Sequence, residues 1–179
     1  MKAILLILCL TALSLHADES KHRIVGLFQP DRQDDLREIV KTLPDVQLVN
    51  LDYDTTEATF SYDVTKLIAG YNPKKPPSEE AITKRLDELL RAASQGTFTL
   101  MPLAAIPKDQ MQVIALKVGL LDCKGCRYGA YLAIAKLDGV ERATVTPEGL
   151  LTVSIDPAKT DRAALEAALK KVRVELLAP

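Results

Sequence analysis

Residues 111–145 read "MQVIALKVGLLDCKGCRYGAYLAIAKLDGVERATV". The opening stretch, 111–120, is apolar and carries β-branched side chains, which predicts a strand. Ala130, Ala133, Ile134 and Leu137 then recur at the spacing of one helix face. Asp138-Gly139 stops that helix, with glycine just past its end. "VERATVT" (140–146) alternates through Val140, Ala143 and Val145 and predicts a second strand. Between the first strand and the helix stand Cys123 and Cys126, a CxxC at a strand-to-helix junction. Working outward, Pro147-Glu148-Gly149 is a turn and "LLTVSID" (150–156) a strand. Thr160 or Asp161 can cap a second helix, whose apolar face is Leu165, Ala168, Leu169 and Val172. "VELL" (174–177) predicts a short closing strand. The order is β-α-β-β-α-β.

The preceding part of the chain has the same grammar. "HRIVGLF" (22–28) predicts a strand, and Leu36, Ile39, Val40 and Leu43 form a helix face. "VQLVNLDY" (46–53) and "ATFSYD" (58–63) predict two strands around Asp54-Thr55-Thr56, followed by a long polar loop, "YNPKKPPSEE". Ser78 caps a helix whose first turn holds Glu79 and Glu80, where they favour the helix dipole. Its face is Ile82, Leu86, Leu89, Leu90 and Ala93. Gly96 ends it and "TFTLMPL" (97–103) closes as a strand. A shift of 94 residues lays Leu36 on Ala130, Ile39 on Ala133, Val40 on Ile134, Leu43 on Leu137 and Val46 on Val140. This is an internal repeat, carried by matched faces rather than identity. The predicted fold class is α+β: tandem ferredoxin-like βαββαβ sandwiches, with a unit at 21–103, a linker at 104–110 and a second unit at 111–177. The same shift sets Gln29 against Cys123 and Arg32 against Cys126, so the first unit lacks the thiols.

The 179 residues suffice for one medium domain or two small ones. With Trp absent and aromatics scarce, the core must be built from Leu, Val, Ile and Ala. A formal net charge of −1, with no block of either sign, argues against a nucleic-acid partner and an electrostatic membrane anchor. The N-terminus, "MKAILLILCLTALSLHADES", has Lys2, an apolar run from Ile4 to Leu15 and a small-residue cleavage site at Ala17. That run is too short to span a bilayer comfortably. Residues 1–17 therefore read as a secretory signal peptide, and the expected location is periplasmic or secreted. Cys9 lies inside the apolar run and leaves with it. No later stretch is apolar enough to span a membrane after cleavage.

Two cysteines then remain, both in the CxxC. A bridge over so short a loop removes little chain entropy, so the pair reads as chemical rather than as a staple. Free N–H groups and the helix dipole favour thiolate there, and Lys124 adds a positive charge beside them. Thiolates are soft ligands that select Cu(I), Hg(II), Cd(II) and Zn(II) over Mg(II) or Ca(II). Two sulfurs satisfy Cu(I); Zn(II) normally takes four ligands. Asp122 either supplies a third, harder ligand or points to solvent or caps the helix. A thiol-disulfide redox role also suits a CxxC that opens a helix. So does a non-metal interaction module, since the first unit keeps the scaffold without thiols.

The run Val118-Gly119-Leu120-Leu121-Asp122-Cys123-Lys124-Gly125-Cys126, then Ala130, Ala133-Ile134, Leu137, Gly139-Val140, Ala143, Val145 and Val153-Ser154-Ile155-Asp156-Pro157, resembles the heavy-metal-associated (HMA) domain family. That family includes periplasmic mercury-binding proteins, copper chaperones and the N-terminal domains of metal-transporting P-type ATPases. The resemblance covers 112–177; for the first unit it extends to the fold alone, as a degenerate repeat. It implies a metal-binding chaperone or scavenger, not an enzyme, holding one soft ion through Cys123 and Cys126 with Asp122 as a possible third ligand. It implies as partner a metal-transporting ATPase or another metal-accepting protein. Within the family, D-C-x-x-C resembles the zinc, cadmium and lead branch more than the copper branch. The family's usual Gly-Met-Thr or Gly-Met-His before the first cysteine is replaced by Leu120-Leu121-Asp122, with Leu121 in the place of a Met buried under the metal loop. The Gly-Tyr or Gly-Phe after the second helix is absent. Elsewhere, His22 reads as a surface residue and Asp52, Asp54 and Glu57 as solvated turn charges. Tyr128 and Tyr131 read as packing or surface residues. The sequence has no Gly-rich phosphate loop and no Ser-His-Asp set.

Overall fold

The computed structural model describes residues 17–119 and 121–177; the predicted signal peptide lies outside them apart from Ala17. The first half runs β1 (Asp18–Val25), α1 (Arg32–Lys41), β2 (Val46–Asp52), β3 (Glu57–Tyr62), α2 (Val64–Leu67), α3 (Glu79–Ala93) and β4 (Thr99–Met101). Its strands form an antiparallel sheet in the order β2-β3-β1-β4. A single 3₁₀ turn, Lys108–Gln110, leads into β5 (Gln112–Lys117), α4 (Lys124–Ala135), β6 (Val140–Val145), β7 (Leu150–Ile155) and α5 (Arg162–Lys171). These strands pair antiparallel in the order β5-β7-β6. The segment after α5 returns to the free side of β5. Each half is thus a ferredoxin-like βαββαβ unit, with α2 an extra turn in the first.

The helices start and stop for the reasons their sequences carry. Ser78 Oγ accepts the Ala81 N–H at 3.2 Å, and Asp161 Oδ1 accepts the Ala164 N–H at 2.8 Å. Each satisfies an N–H that has no partner within its helix. Leu36 and Val40 of α1, Leu86 and Leu90 of α3, and Leu165 and Leu169 of α5 are buried against the sheets. Sequence and structure part at the edges. β1 begins at Asp18 and stops before Gly26 rather than running 22–28. Gly26 sits at φ +115°, and a Cβ there would lie 2.5 Å from the Phe98 ring and the Thr97 carbonyl. The closing strand at 97–103 shrinks to Thr99–Met101, and the stretch between the third strand and the polar loop winds into α2, capped by Asp63. The helix over Leu165 ends at Lys171, so Val172 is half exposed instead of lying on its buried face. "VELL" contributes only a bridge between Leu176 and Val118, with Gly119 N–H donating to Glu175 O and Leu177 N–H to Lys117 O.

The two halves share more than a linker. Successive strand side chains point to opposite faces, and β1 uses both. Ile24 enters the core of its own half, with Leu36, Phe60 and Phe98. Val25, with Phe28 from the following turn, packs into the other core among Ile114, Ala130, Ile134 and Leu151. Arg23, of the same parity as Val25, crosses as well. Its Nε donates to Pro102 O at 2.7 Å and its Nη1 donates to Glu141 O and Val140 O. Nη1 also lies 2.6 Å from Glu141 Oε2. Glu141 faces inward because the β6–β7 register slips between Val140 and Arg142, and a bulge re-aims the residue it adds. On α4, the Tyr131 hydroxyl accepts the Gly26 N–H at 2.8 Å and Tyr128 Oη donates to Thr97 O at 3.1 Å. Both rings stand against Phe28, at 5.5 and 5.4 Å between centroids. Both tyrosines are therefore packing residues, as read from the sequence. His22 is buried, not a surface residue, because β3 and the α3 side of the sheet enclose it; its Nε2 meets Ser20 Oγ at 3.1 Å.

Candidate functional site

The CxxC lies where β5 hands over to α4. Cys123 is the residue before the helix, in extended conformation (φ −101°, ψ 149°), and Cys126 falls in the first turn. Cys123 Sγ accepts the Cys126 N–H at 2.9 Å, so the sulfur acts as the N-cap that Ser or Asp supplies elsewhere. The two sulfurs are joined as a disulfide, and both residues are exposed. Below them Leu121 is buried at 6% exposure in the second core, the place expected for it under the loop. Arg127 pins the loop from the helix side. Its Nη1 donates to Leu121 O at 2.9 Å and to Asp122 O at 3.3 Å.

The structure brings Cys123 and Cys126 together. Asp122 is exposed, and its described contact is through its backbone carbonyl. Among the described residues, no group of three or more His, Cys, Asp or Glu side chains is placed to hold a metal ion. What the chain offers is two adjacent sulfurs at a surface, with the remaining coordination positions open to solvent or to another molecule. In the disulfide neither sulfur is a thiolate, and soft-metal binding requires the reduced pair.

Two neighbours of the site escape a sequence reading. Arg127 looks like a solvated helix charge, and nothing local says that it folds back onto the loop. Lys124 crosses to the first half, donating to Asp31 Oδ2 at 2.8 Å and Asp35 Oδ2 at 3.5 Å. The Lys124 ammonium holds the Asp31 carboxyl below the ordinary range, against a smaller opposing effect of burial. Asp31 stands at the N-cap of α1 but does not cap it; its carboxylate is turned to Lys124 instead.

The counterpart of the CxxC in the first half is closed. Gln29 is buried, and the Arg32 guanidinium lies 4.8 Å from the Phe98 ring centroid and 5.7 Å from that of Phe28. It pairs with Asp35. A resident cation stands where the repeat relation would set a thiol.

No family model and no curated protein matches this chain. Solved structures do. The CopZ metallochaperone is 22% identical over 37% of this chain and 100% of its own, with a TM-score of 0.36. Oxidized MerP from Ralstonia metallidurans CH34 is 28% identical over 37% of this chain and 94% of its own, with a TM-score of 0.36. The N-terminal soluble domains of Bacillus subtilis CopA are 16% identical over 89% of this chain and 92% of theirs, with a TM-score of 0.35. These neighbours are HMA-domain proteins.

Proposed function

We propose that this chain is an exported metal-binding protein of the chaperone or scavenger kind. The reduced pair Cys123 and Cys126 holds one soft ion, Cu(I) or Zn(II), with Hg(II) and Cd(II) as chemically equivalent cargo. Asp122, next to the pair and exposed, is the candidate third ligand for Zn(II). The observation that carries the reading is the exposed sulfur pair at the start of α4, with Cys123 Sγ facing the helix N–H groups. That setting favours thiolate. Exposure also lets the thiolate of a partner, a metal-transporting ATPase or another metal-accepting protein, displace one sulfur at a time. The motif resemblance points the same way. Cleavage after Ala17 would leave β1 whole from Asp18, which fits a periplasmic or secreted location. Among the described residues no helix is long and apolar enough to cross a membrane.

The test is a titration of the reduced mature protein with Cu(I) and Zn(II), each held by a competing chelator. One-to-one binding is expected, and it is lost in Cys123→Ser/Cys126→Ser. Serine keeps an oxygen at the cap, so that variant stays folded, within about 1 kcal/mol of the parent. Failure of both metals to compete would overturn the reading. The disulfide between the same two sulfurs supports a second one, a thiol-disulfide redox pair. It predicts a Cys123–Cys126 reduction potential well above that of a structural disulfide, about −300 mV. It also predicts exchange with a partner thiol in the absence of metal.

A further inference from the structure

Lys124 follows Cys123 directly, yet its charge is not free. It meets Asp31 at 2.8 Å and Asp35 at 3.5 Å, and Asp35 also pairs with Arg32. The four charges sum to zero. Both carboxylates come from the first half, 93 and 89 residues away in the chain. The half without thiols therefore decides the charge beside the half that has them.

We infer that Asp31 and Asp35 set the charge selectivity of the Cys123–Cys126 site, favouring divalent Zn(II) over monovalent Cu(I) by neutralising Lys124. The inference rests on the metal-binding reading above. A fixed charge near the sulfurs acts on a bound ion in proportion to the charge of that ion. With both carboxylates replaced by amides, Lys124 and Arg32 stand uncompensated. The added positive potential then opposes Zn(II) twice as strongly as Cu(I). Thiol protonation does not alter the comparison. Either ion displaces the same protons from the same two sulfurs, so at any pH the ratio of affinities reports one unit of ion charge. Two exposed charges bonded to the side chain that follows Cys123 change that ratio by roughly threefold to tenfold.

The experiment compares Zn(II) and Cu(I) affinities of the reduced, anaerobic, full mature chain by chelator competition. Variants are Asp31→Asn/Asp35→Asn and, from the other side of the bridge, Lys124→Gln. The amide variant is expected to move the Zn(II):Cu(I) affinity ratio toward Cu(I) by threefold to tenfold. Lys124→Gln should move it toward Zn(II), and both shifts should shrink as salt rises from about 0.05 to 0.5 M. A merely structural bridge would change both affinities by one common factor; an unchanged ratio in both variants overturns the inference. If the parent protein binds neither ion, the metal-binding reading itself has failed and this inference falls with it. Binding by the parent with no ratio shift overturns the inference alone. Should the amide variant not fold, Lys124→Gln decides: a ratio that stays or moves toward Cu(I) refutes the role of the carboxylates.

Discussion

Replacing Glu141 with Gln tests the contact between the halves. The Glu141 side chain is 6% exposed and that of Arg23 12%, with Oε2 at 2.6 Å from Nη1. Oε2 accepts no aligned hydrogen bond, so the contact is one of charge. Removing one partner of a buried pair leaves the other uncompensated, at a cost of roughly 3–5 kcal/mol. Here Arg23 keeps the carbonyls of Pro102, Val140 and Glu141, which places the expected loss near the bottom of that range, about 3 kcal/mol. For a protein of this size that is a fall in Tm of about 6–12 °C, and a large part of a total stability of about 5–15 kcal/mol. The assay is urea unfolding of the reduced mature protein, followed by far-UV circular dichroism and by tyrosine fluorescence. Because Val25 and Phe28 belong to the second core, both signals should move together, in one transition. The double variant Arg23→Met/Glu141→Leu should recover only part of the loss: apolar side chains of similar size replace the buried charges at little cost, but the carbonyls of Pro102, Val140 and Glu141 lose the guanidinium. A loss below about 1 kcal/mol in Glu141→Gln, or a double variant weaker than either single one, would refute the reasoning.

Further outcomes rest on single residues. Gly26→Ala should destabilise by more than about 2 kcal/mol, because φ +115° is hostile to a side chain and the new Cβ meets Phe98 and Thr97 at 2.5 Å; chemical unfolding measures it. Burial holds His22 below the ordinary histidine range, with Asp87 partly opposing. The folded state therefore keeps His22 neutral. The stability this contributes is whole above the unfolded pKa of about 6.5 and is lost as pH falls through the folded value. Unfolding free energy should decline from about pH 7 toward pH 5, and His22→Gln should flatten that slope. Asp122→Ala should weaken Zn(II) more than Cu(I) in competition titrations; equal losses, or none, would remove Asp122 from the site.

What the sequence disclosed was local. Helix faces, the Ser78 cap and the placement of Cys123 and Cys126 about the start of α4 all depend on neighbours within a few residues. Leu121 under the loop came from the motif resemblance. The rest was hidden because it depends on contacts between the halves. Arg23 and Glu141 look like ordinary strand charges until a bulge in β6 turns one toward the other. His22 looks terminal until β1 starts four residues earlier and draws it into the sheet. "VELL" has the composition of a strand, but the segment after α5 meets β5 through few hydrogen bonds, and a pattern of apolar letters does not report how much of an edge is left to pair. At the site, the spacing of the two cysteines was legible. The pull of Lys124 toward Asp31 was not, since no period in the chain connects them.

The burial of Phe28 and Gln29 also bears on what the first half can be made to bind. Under the shift of 94 residues these two stand where Asp122 and Cys123 stand in the second half, and they are 1% and 8% exposed. A cysteine introduced at 29 would be shut away from solvent and from any docking molecule, and buried thiols of that kind are inert. A polar residue at 28 would open a gap beneath Tyr128 and Tyr131. Phe28 forms part of the wall of the second half, so no short series of substitutions gives the first half an open pair of thiols at 29 and 32 without first prying the halves apart.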